Sequence, residues 1–193
     1  MIDIFPGAEF LGRRVQIAFV VRNIDEGLAF WTEKLGVKRF VLFEANAGKR
    51  TVIYKGAETK MDMSIAYSYL GDAQIEILSP RNDEPSPYTD FLNSGRSGLH
   101  HLGFWPDDYP AACAAVEKCG FEEVCAFYTP DGEKNASYYD SPDAFGAMLE
   151  LVPMTKDRGT YFPKIRQLAE SDEFTERVLR FPDRQAFLRK YFP

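Results

Sequence analysis

Four polar side chains stand out by type and placement: Gln16, Glu76, His101 and Glu150. Each lies inside a short, largely apolar run of the kind that forms a strand, over residues 15–21, 73–78, 99–105 and 147–152. A polar group buried in such a run needs a partner. The four also sit at matching places. Gln16 precedes Gly36 by 20 residues and His101 precedes Gly120 by 19. Glu76 and Glu150 each occupy an apolar-Glu-apolar segment that ends in a proline, Pro80 or Pro153. One imidazole, two carboxylates and an amide oxygen meeting in one cleft would make a borderline-hard donor set. That set suits a divalent ion (Zn²⁺, Co²⁺, Ni²⁺ or Mn²⁺) and leaves room for water or substrate oxygens. His100, the other of the two histidines, is expected to face away from His101, because strand neighbours point to opposite sides, and is read as structural.

The elements that must position these residues repeat along the chain. Residues 15–21 read as a strand, Asn23 or Asp25 as a helix cap, and Leu28, Trp31 and Leu35 as the core face of a helix that Gly36 stops. Strand patterns follow over 40–44, 49–54, 63–69 and 73–78. Residues 80–97 read as a crossover with a helical turn at 88–92. The second half begins with a strand over 99–105 and a cap at Asp107 or Asp108. A helix bearing Ala112, Ala115, Val116 and Cys119 comes next, with Gly120 as its stop. Strands over 124–129, 136–140 and 147–153 complete it, with turns at Pro130-Asp131-Gly132 and Ser141-Pro142-Asp143. The shared order and spacing predict an internal duplication. The expectation is an α+β protein of two βαβββ modules in a curved, open, barrel-like sheet. Residues 1–79 form an N-terminal arm and the first module, 80–97 the crossover, 98–153 the second module and 154–193 a helical C-terminal extension. Helices are expected in that extension over 163–169, 173–181 and 182–191.

Composition narrows the function classes. A net charge of −6 argues against a nucleic-acid partner, whose footprint is a basic surface. No apolar run approaches the ~20 residues that span a bilayer, and the opening Met1-Ile2-Asp3-Ile4-Phe5-Pro6 lacks a signal-peptide pattern. Cys113, Cys119 and Cys125 form no Cys-x-x-Cys pair, and read as reduced thiols of a cytoplasmic protein, with Cys113 and Cys119 in packing roles. Residues 154–193 carry nine Lys/Arg and six Asp/Glu, a net +3 against −9 for the rest. The extension is expected to pack on this acidic body or across a partner subunit. A homodimer or larger assembly is expected, to cover the sheet edges.

Residues 14–153 resemble the vicinal oxygen chelate superfamily, which includes glyoxalase I, methylmalonyl-CoA epimerase, extradiol dioxygenases and antibiotic-resistance proteins. Residues 15–36, ending Phe30-Trp31-x-x-x-Leu35-Gly36, look like the first strand and helix of such a module. The stretch from Gln74-Ile75-Glu76-Ile77-Leu78-Ser79-Pro80 through Ser86-Pro87, Phe91-Leu92 and Gly98-Leu99-His100-His101-Leu102 is most similar to the epimerases. The resemblance implies metal ligands at Gln16, Glu76, His101 and Glu150, the ligand set of one glyoxalase I type; epimerases more often carry histidine at the place of Gln16. Val20 and Pro80 stand where glyoxalase I has its glutathione-clamping arginine and asparagine, which argues against glutathione. A single site histidine argues against an iron dioxygenase.

The resemblance further implies proton abstraction next to a carbonyl, with the metal acting as a Lewis acid. Glu150 is the first candidate for the base and Glu76 for its opposite-face partner. Glu44 is a weaker candidate, and Tyr67, Tyr69, Phe104 and Trp105 are pocket-lining candidates that read more readily as core. The implied activity is a metal-dependent isomerase or epimerase acting on a small acyl compound, CoA thioesters included. The alternatives are a glyoxalase-like lyase and a metal-free module that sequesters a ligand.

Overall fold

The computed structural model describes residues 9–12, 15–46, 48–141 and 146–193. The expected N-terminal arm lies mostly outside these, and so does most of the turn at Ser141-Pro142-Asp143. Eleven strands join in one sheet. In chain order they are β1 (Val15–Val20), β2 (Phe40–Ala45), β3 (Thr51–Tyr54), β4 (Ala57–Thr59), β5 (Met63–Leu70), β6 (Ala73–Pro80), β7 (Gly98–Phe104), β8 (Glu122–Tyr128), β9 (Lys134–Asp140), β10 (Met148–Leu151) and β11 (Val178–Asp183). The helices are α1 (Ile24–Ala29), α2 (Pro87–Asn93), α3 (Tyr109–Lys118), α4 (Lys156–Glu170) and α5 (Arg184–Tyr191). No described helix is long and apolar enough to cross a membrane.

The sheet order is β11-β2-β5-β6-β1-β7-β10-β9-β8-β3-β4. Its centre is the antiparallel pair β1–β7. On either side the closing strand of that half, β6 or β10, runs parallel to the opening one. Outward from these follow β5 and β2 on one side and β9 and β8 on the other, so these strands mirror each other about the β1–β7 seam, whereas β3, expected in the first module, pairs with β8 of the second half. The α+β class with a mixed, open, curved sheet is therefore as the sequence predicts.

Each half carries a helix over one face. Leu28 of α1 packs with Phe40, Leu42, Ile75 and Ile77; Ala112, Cys113 and Val116 of α3 pack with Tyr139, Leu149 and Leu151. The opposite face belongs to both halves at once. Ala18, Phe43, Tyr67, Leu78, Trp105, Phe127 and Tyr138 join there in one core with Phe162, Ile165 and Leu168 of α4.

Local details depart from the sequence pattern for identifiable reasons. α1 widens into a π turn over Phe30–Lys34, which rotates the residues after it. Leu35, expected on the core face, is 55% exposed, and Thr32 is buried instead. Cys119, expected to pack, is exposed at the end of α3; all three cysteines are free thiols. The short β4 was not expected. It turns back from β3 at Lys55-Gly56, both with positive φ (48° and 80°), the geometry of a tight hairpin turn.

The extension differs most. Its first helix starts at Lys156, capped by Thr155, and carries Pro163 within it. Residues 178–183, expected as part of a helix, form β11 instead. The reason lies elsewhere in the chain: β2 offers an unpaired edge, and the apolar Val178, Leu179 and Phe181 pair with it in parallel. Thus the extension packs on the body of its own chain.

Arg39, 2% exposed, fastens the link between α4 and β11. Its guanidinium donates to the carbonyls of Glu176 (2.7 Å), Leu168 (3.0 Å), Ser171 (2.7 Å) and Phe174 (2.5 Å). Replacing it leaves buried acceptors without donors, so Arg39→Met should cost about 3 kcal/mol or more of stability in urea unfolding. A loss below about 1 kcal/mol would show that the extension is held without it.

Candidate metal centre and cavity

The β1–β7 seam sets the geometry of the site. Side chains alternate along a strand, so Gln16 and Ala18 share a face, as do His101 and Gly103. In register, Gln16 lies opposite Gly103 and Ala18 opposite His101. On the flanks Ala18 lies beside Glu76, and Gly103 beside Glu150. All four polar residues therefore point into the shared core face, with small residues between them. They are 2% (Gln16), 3% (Glu76), 0% (His101) and 9% (Glu150) exposed.

The structure brings these four side chains together. His101 Nε2 lies 3.3 Å from Glu76 Oε2 and 3.5 Å from Glu150 Oε2. One donor atom from each of these three residues lies within 4.8 Å of the other two. Donors on one ion at about 2.1 Å stand roughly 3.0–3.4 Å apart, so the spacing suits a shared ion. Gln16 Oε1, Glu76 Oε2 and His101 Nε2 are all buried polar atoms without a hydrogen-bond partner. Such atoms are rare in folded proteins and call for an explanation; a cation supplies one.

Neighbouring groups aim these atoms. The Gln16 amide nitrogen donates to Gln74 Oε1 (2.7 Å) and Glu76 Oε1 (3.2 Å), so its oxygen turns the other way. Gln74 in turn donates to the Tyr69 hydroxyl at 2.7 Å. The His100 Nε2–H donates to the Pro87 carbonyl (3.2 Å), which leaves its Nδ1 as an acceptor for His101 Nδ1–H (2.9 Å). That relay keeps a proton on His101 Nδ1 and turns Nε2 toward the carboxylates. His100 thus supports the site, contrary to its expected orientation. A register shift lies between the Ala18–His101 and Phe19–Leu99 pairs, and in this bulge strict alternation fails.

Gly103 completes the cradle. A Cβ there would lie 2.8 Å from Gln16 Oε1 and 3.1 Å from Glu150 Oε2. The missing side chain is the space in which these groups converge.

Burial pushes the Glu76 carboxyl above its ordinary range, with the contact to His101 opposing and the charge of Glu150 adding. Burial acts the same way on Glu150, but contact with His101 and its charge outweigh it and hold this carboxyl below its usual value. For His101 burial opposes the charged form, yet the contacts with Glu150 and Glu76 prevail and raise it to about 9, so without an ion Nε2 holds a proton between the two carboxylates, and a bound ion would take that proton's place. Burial, reinforced by His101, lowers His100 to about 3, which keeps it neutral in the relay.

Gln16, Glu76 and Glu150 line a partly open cavity of ≈ 50 Å³, and His101 contacts the two carboxylates. That is room for roughly three to five water-sized groups at about 10–15 Å³ each. Tyr67, Tyr88, Trp105, Tyr138 and Phe162 supply aromatic wall, and Arg50, Arg158 and Arg184 also line it. Tyr67 and Trp105 are thus wall residues. Tyr69 acts through Gln74, whereas Phe104 packs on the other face with α3. Glu44 does not line the cavity; it pairs with Arg180 at 2.7 Å. Sequence reasoning missed Gln74, although it stands two residues before Glu76 and so on the same face. It also missed Gly103 and the three arginines.

Comparison with known proteins agrees with the fold. Residues 15–139 match the family described as the Glyoxalase/Bleomycin resistance protein/Dioxygenase superfamily. The chain belongs to this superfamily. Among solved structures it is similar to a hypothetical protein of Bacillus halodurans C-125, with a TM-score of 0.52 at 17% identity over 75% of this chain and 95% of that one. A Streptomyces coelicolor methylmalonyl-CoA epimerase in complex with 2-nitronate-propionyl-CoA gives 0.51 at 18% identity, over 75% and 95%. The Mycobacterium tuberculosis methylmalonyl-CoA epimerase gives 0.50 at 18%, over 75% and 89%. At such identities the likeness is one of fold. No curated protein matches the chain by sequence.

Two substitutions test the centre without touching its donors. Gly103→Ala should keep the fold, because the atoms it meets are side-chain atoms, while displacing Gln16 and Glu150. Mn²⁺ or Zn²⁺ affinity, read by competition with a chelating dye, should fall about 10–100-fold. His100→Leu removes the acceptor that sets the tautomer and should weaken binding by a similar factor of about 10–100. Wild-type affinity in both variants would mean that neither group shapes the centre.

Proposed function

We propose that the chain is a metal-dependent isomerase or epimerase that removes a proton next to a carbonyl of a small acyl substrate. The observation that carries this reading is the convergence of three unpartnered buried polar atoms, of Gln16, Glu76 and His101, with Glu150 beside a small pocket that Gln16, Glu76 and Glu150 line. Those four residues would hold a divalent ion, which when bound supplies Lewis-acid stabilisation of charge developing on a substrate oxygen. The protein's own groups do the rest. Glu150 faces the cavity and takes the proton, and Glu76 serves the opposite face. The aromatic wall excludes water, and Gln74 and His100 hold Gln16 and His101 in place. The Streptomyces coelicolor relative binds a propionyl-CoA analogue. Carried over to this chain, that makes an acyl-CoA thioester a candidate, with only its acyl end inside so small a cavity.

A glyoxalase-like lyase would use the same proton abstraction. The aromatic lining also favours a second reading, a metal-free module that sequesters a ligand; divalent metal content after purification separates it from the enzyme readings.

Exchange of deuterium from solvent into a panel of acyl-CoAs and 2-oxo compounds tests the proposal. With a substrate in hand, Glu150→Gln should retain metal yet lose about 10²–10⁴-fold in exchange rate, since the amide is nearly isosteric but not a base. Glu76→Gln should still wash deuterium into one stereoisomer while failing to interconvert the pair. Near-normal turnover by metal-loaded Glu150→Gln would assign the base elsewhere.

A further inference from the structure

The buried polar atoms without a partner among the described residues are of two kinds. Gln16 Oε1 and Glu76 Oε2 are acceptors, and His101 Nε2 becomes one on losing its proton; a cation answers all three. Arg184 Nε and Trp105 Nε1 are donors, and both residues line the same cavity. No cation satisfies a donor; an unpaired N–H needs an acceptor atom, and a guanidinium favours an anionic oxygen.

The charge on the walls points the same way. Arg50, Arg158 and Arg184 line the cavity, whereas Glu76 and Glu150 are the acids among its lining residues. A divalent ion at the acidic end would enlarge the positive surplus. The arginines stand close enough to feel one another: burial, then the charges of Arg184 and Arg158, push the Arg50 guanidinium below its ordinary value. Each is held from behind. Arg158 donates to Asn135 Oδ1, the Asn135 carbonyl and the Pro153 carbonyl, each at 2.9 Å. Arg184 lies over the Tyr161 ring at 5.0 Å, and Arg50 over Phe127 at 5.1 Å. A surplus of buried positive charge is costly unless a ligand of opposite sign meets it.

We propose that this arginine wall is a carboxylate subsite, so that the substrate is a small oxo or hydroxy acid. Its vicinal oxygens face the Gln16, Glu76, His101 and Glu150 end, and a further carboxylate meets Arg184 and Trp105. The first half of that pose rests on the proposed metal-dependent function; the arginine wall does not. Arg158 and Arg184 both come from residues 154–193, so the extension contributes part of the substrate selectivity.

The test is calorimetric titration of the full chain loaded with Mn²⁺, using lactate, tartronate and inorganic phosphate. Tartronate differs from lactate by a carboxylate in place of a methyl group. It should bind at least about 100-fold more tightly than lactate, and Arg184→Met should shrink that ratio at least about tenfold at unchanged Mn²⁺ affinity. Arg184→Lys should restore part of it. The ratio in Arg184→Met corrects for the stronger chelation of tartronate in solution. If Arg184→Met does not fold, Trp105→Phe removes the other donor and should narrow the same ratio. An unchanged ratio in a folded variant, or phosphate binding more tightly than tartronate, overturns the proposal. If the wild type binds no Mn²⁺, the proposed function fails. The subsite then stands only if tartronate raises the thermal midpoint of the metal-free protein in an Arg184-dependent way, and falls if it does not.

Discussion

Placing two carboxylates beside one imidazole in an interior closed to water is the demanding step in this structure. Desolvating an ion costs several kcal/mol even after the protein relaxes, and among the described residues the ion-pair contacts of Glu76 and Glu150 are with His101 alone. The surroundings are arranged to tolerate that burden. The Gln16 amide spends both its hydrogen bonds on Gln74 and Glu76, and Gly103 withholds a side chain so that four others can meet. The β1–β7 seam is what makes this possible. Only there do strands from both halves lie side by side with their closing strands as immediate neighbours, so that each half delivers one opening-strand and one closing-strand residue to a common point.

Much of this was legible in the sequence. The four polar residues sit at mirrored positions of a duplicated pattern, and strand alternation alone places each on a single face. Gln74 could have been found by the same rule. The limits came where local periodicity is broken by an irregularity that leaves no mark in residue type. A bulge in β7 turns His100 toward its neighbour, and a π turn after α1 swings Leu35 into solvent. Both follow from a single extra residue, in a ladder or in a helical turn, which spacing rules count wrongly.

In residues 154–193 the helices expected over 163–169 and 182–191 fall within α4 and α5, but the stretch between them misleads for a different reason. Alternating charges make 173–181 look helical, yet β11 exists because β2 has a free edge for it, a fact about a strand well over a hundred residues earlier. The position of Arg184 depends in turn on where β11 ends and α5 begins. No local signal says that these arginines will face the cavity, since that follows from where the extension docks.

The hairpin of β3 and β4 carries one more consequence. It comes from the first half of the sequence but pairs through β3 with β8 of the second, Thr51 opposite Tyr128 and Tyr54 opposite Cys125. At the other border of the sheet, β2 waits for β11 near the end of the chain. Both margins are therefore closed by segments distant in sequence, a topology of high contact order that favours slow folding. During synthesis the first half emerges with three strands, β1, β2 and β3, each lacking a partner that has not yet been made. It must hold those open edges until the last residues leave the ribosome, an interval in which intermolecular strand pairing competes with the native one.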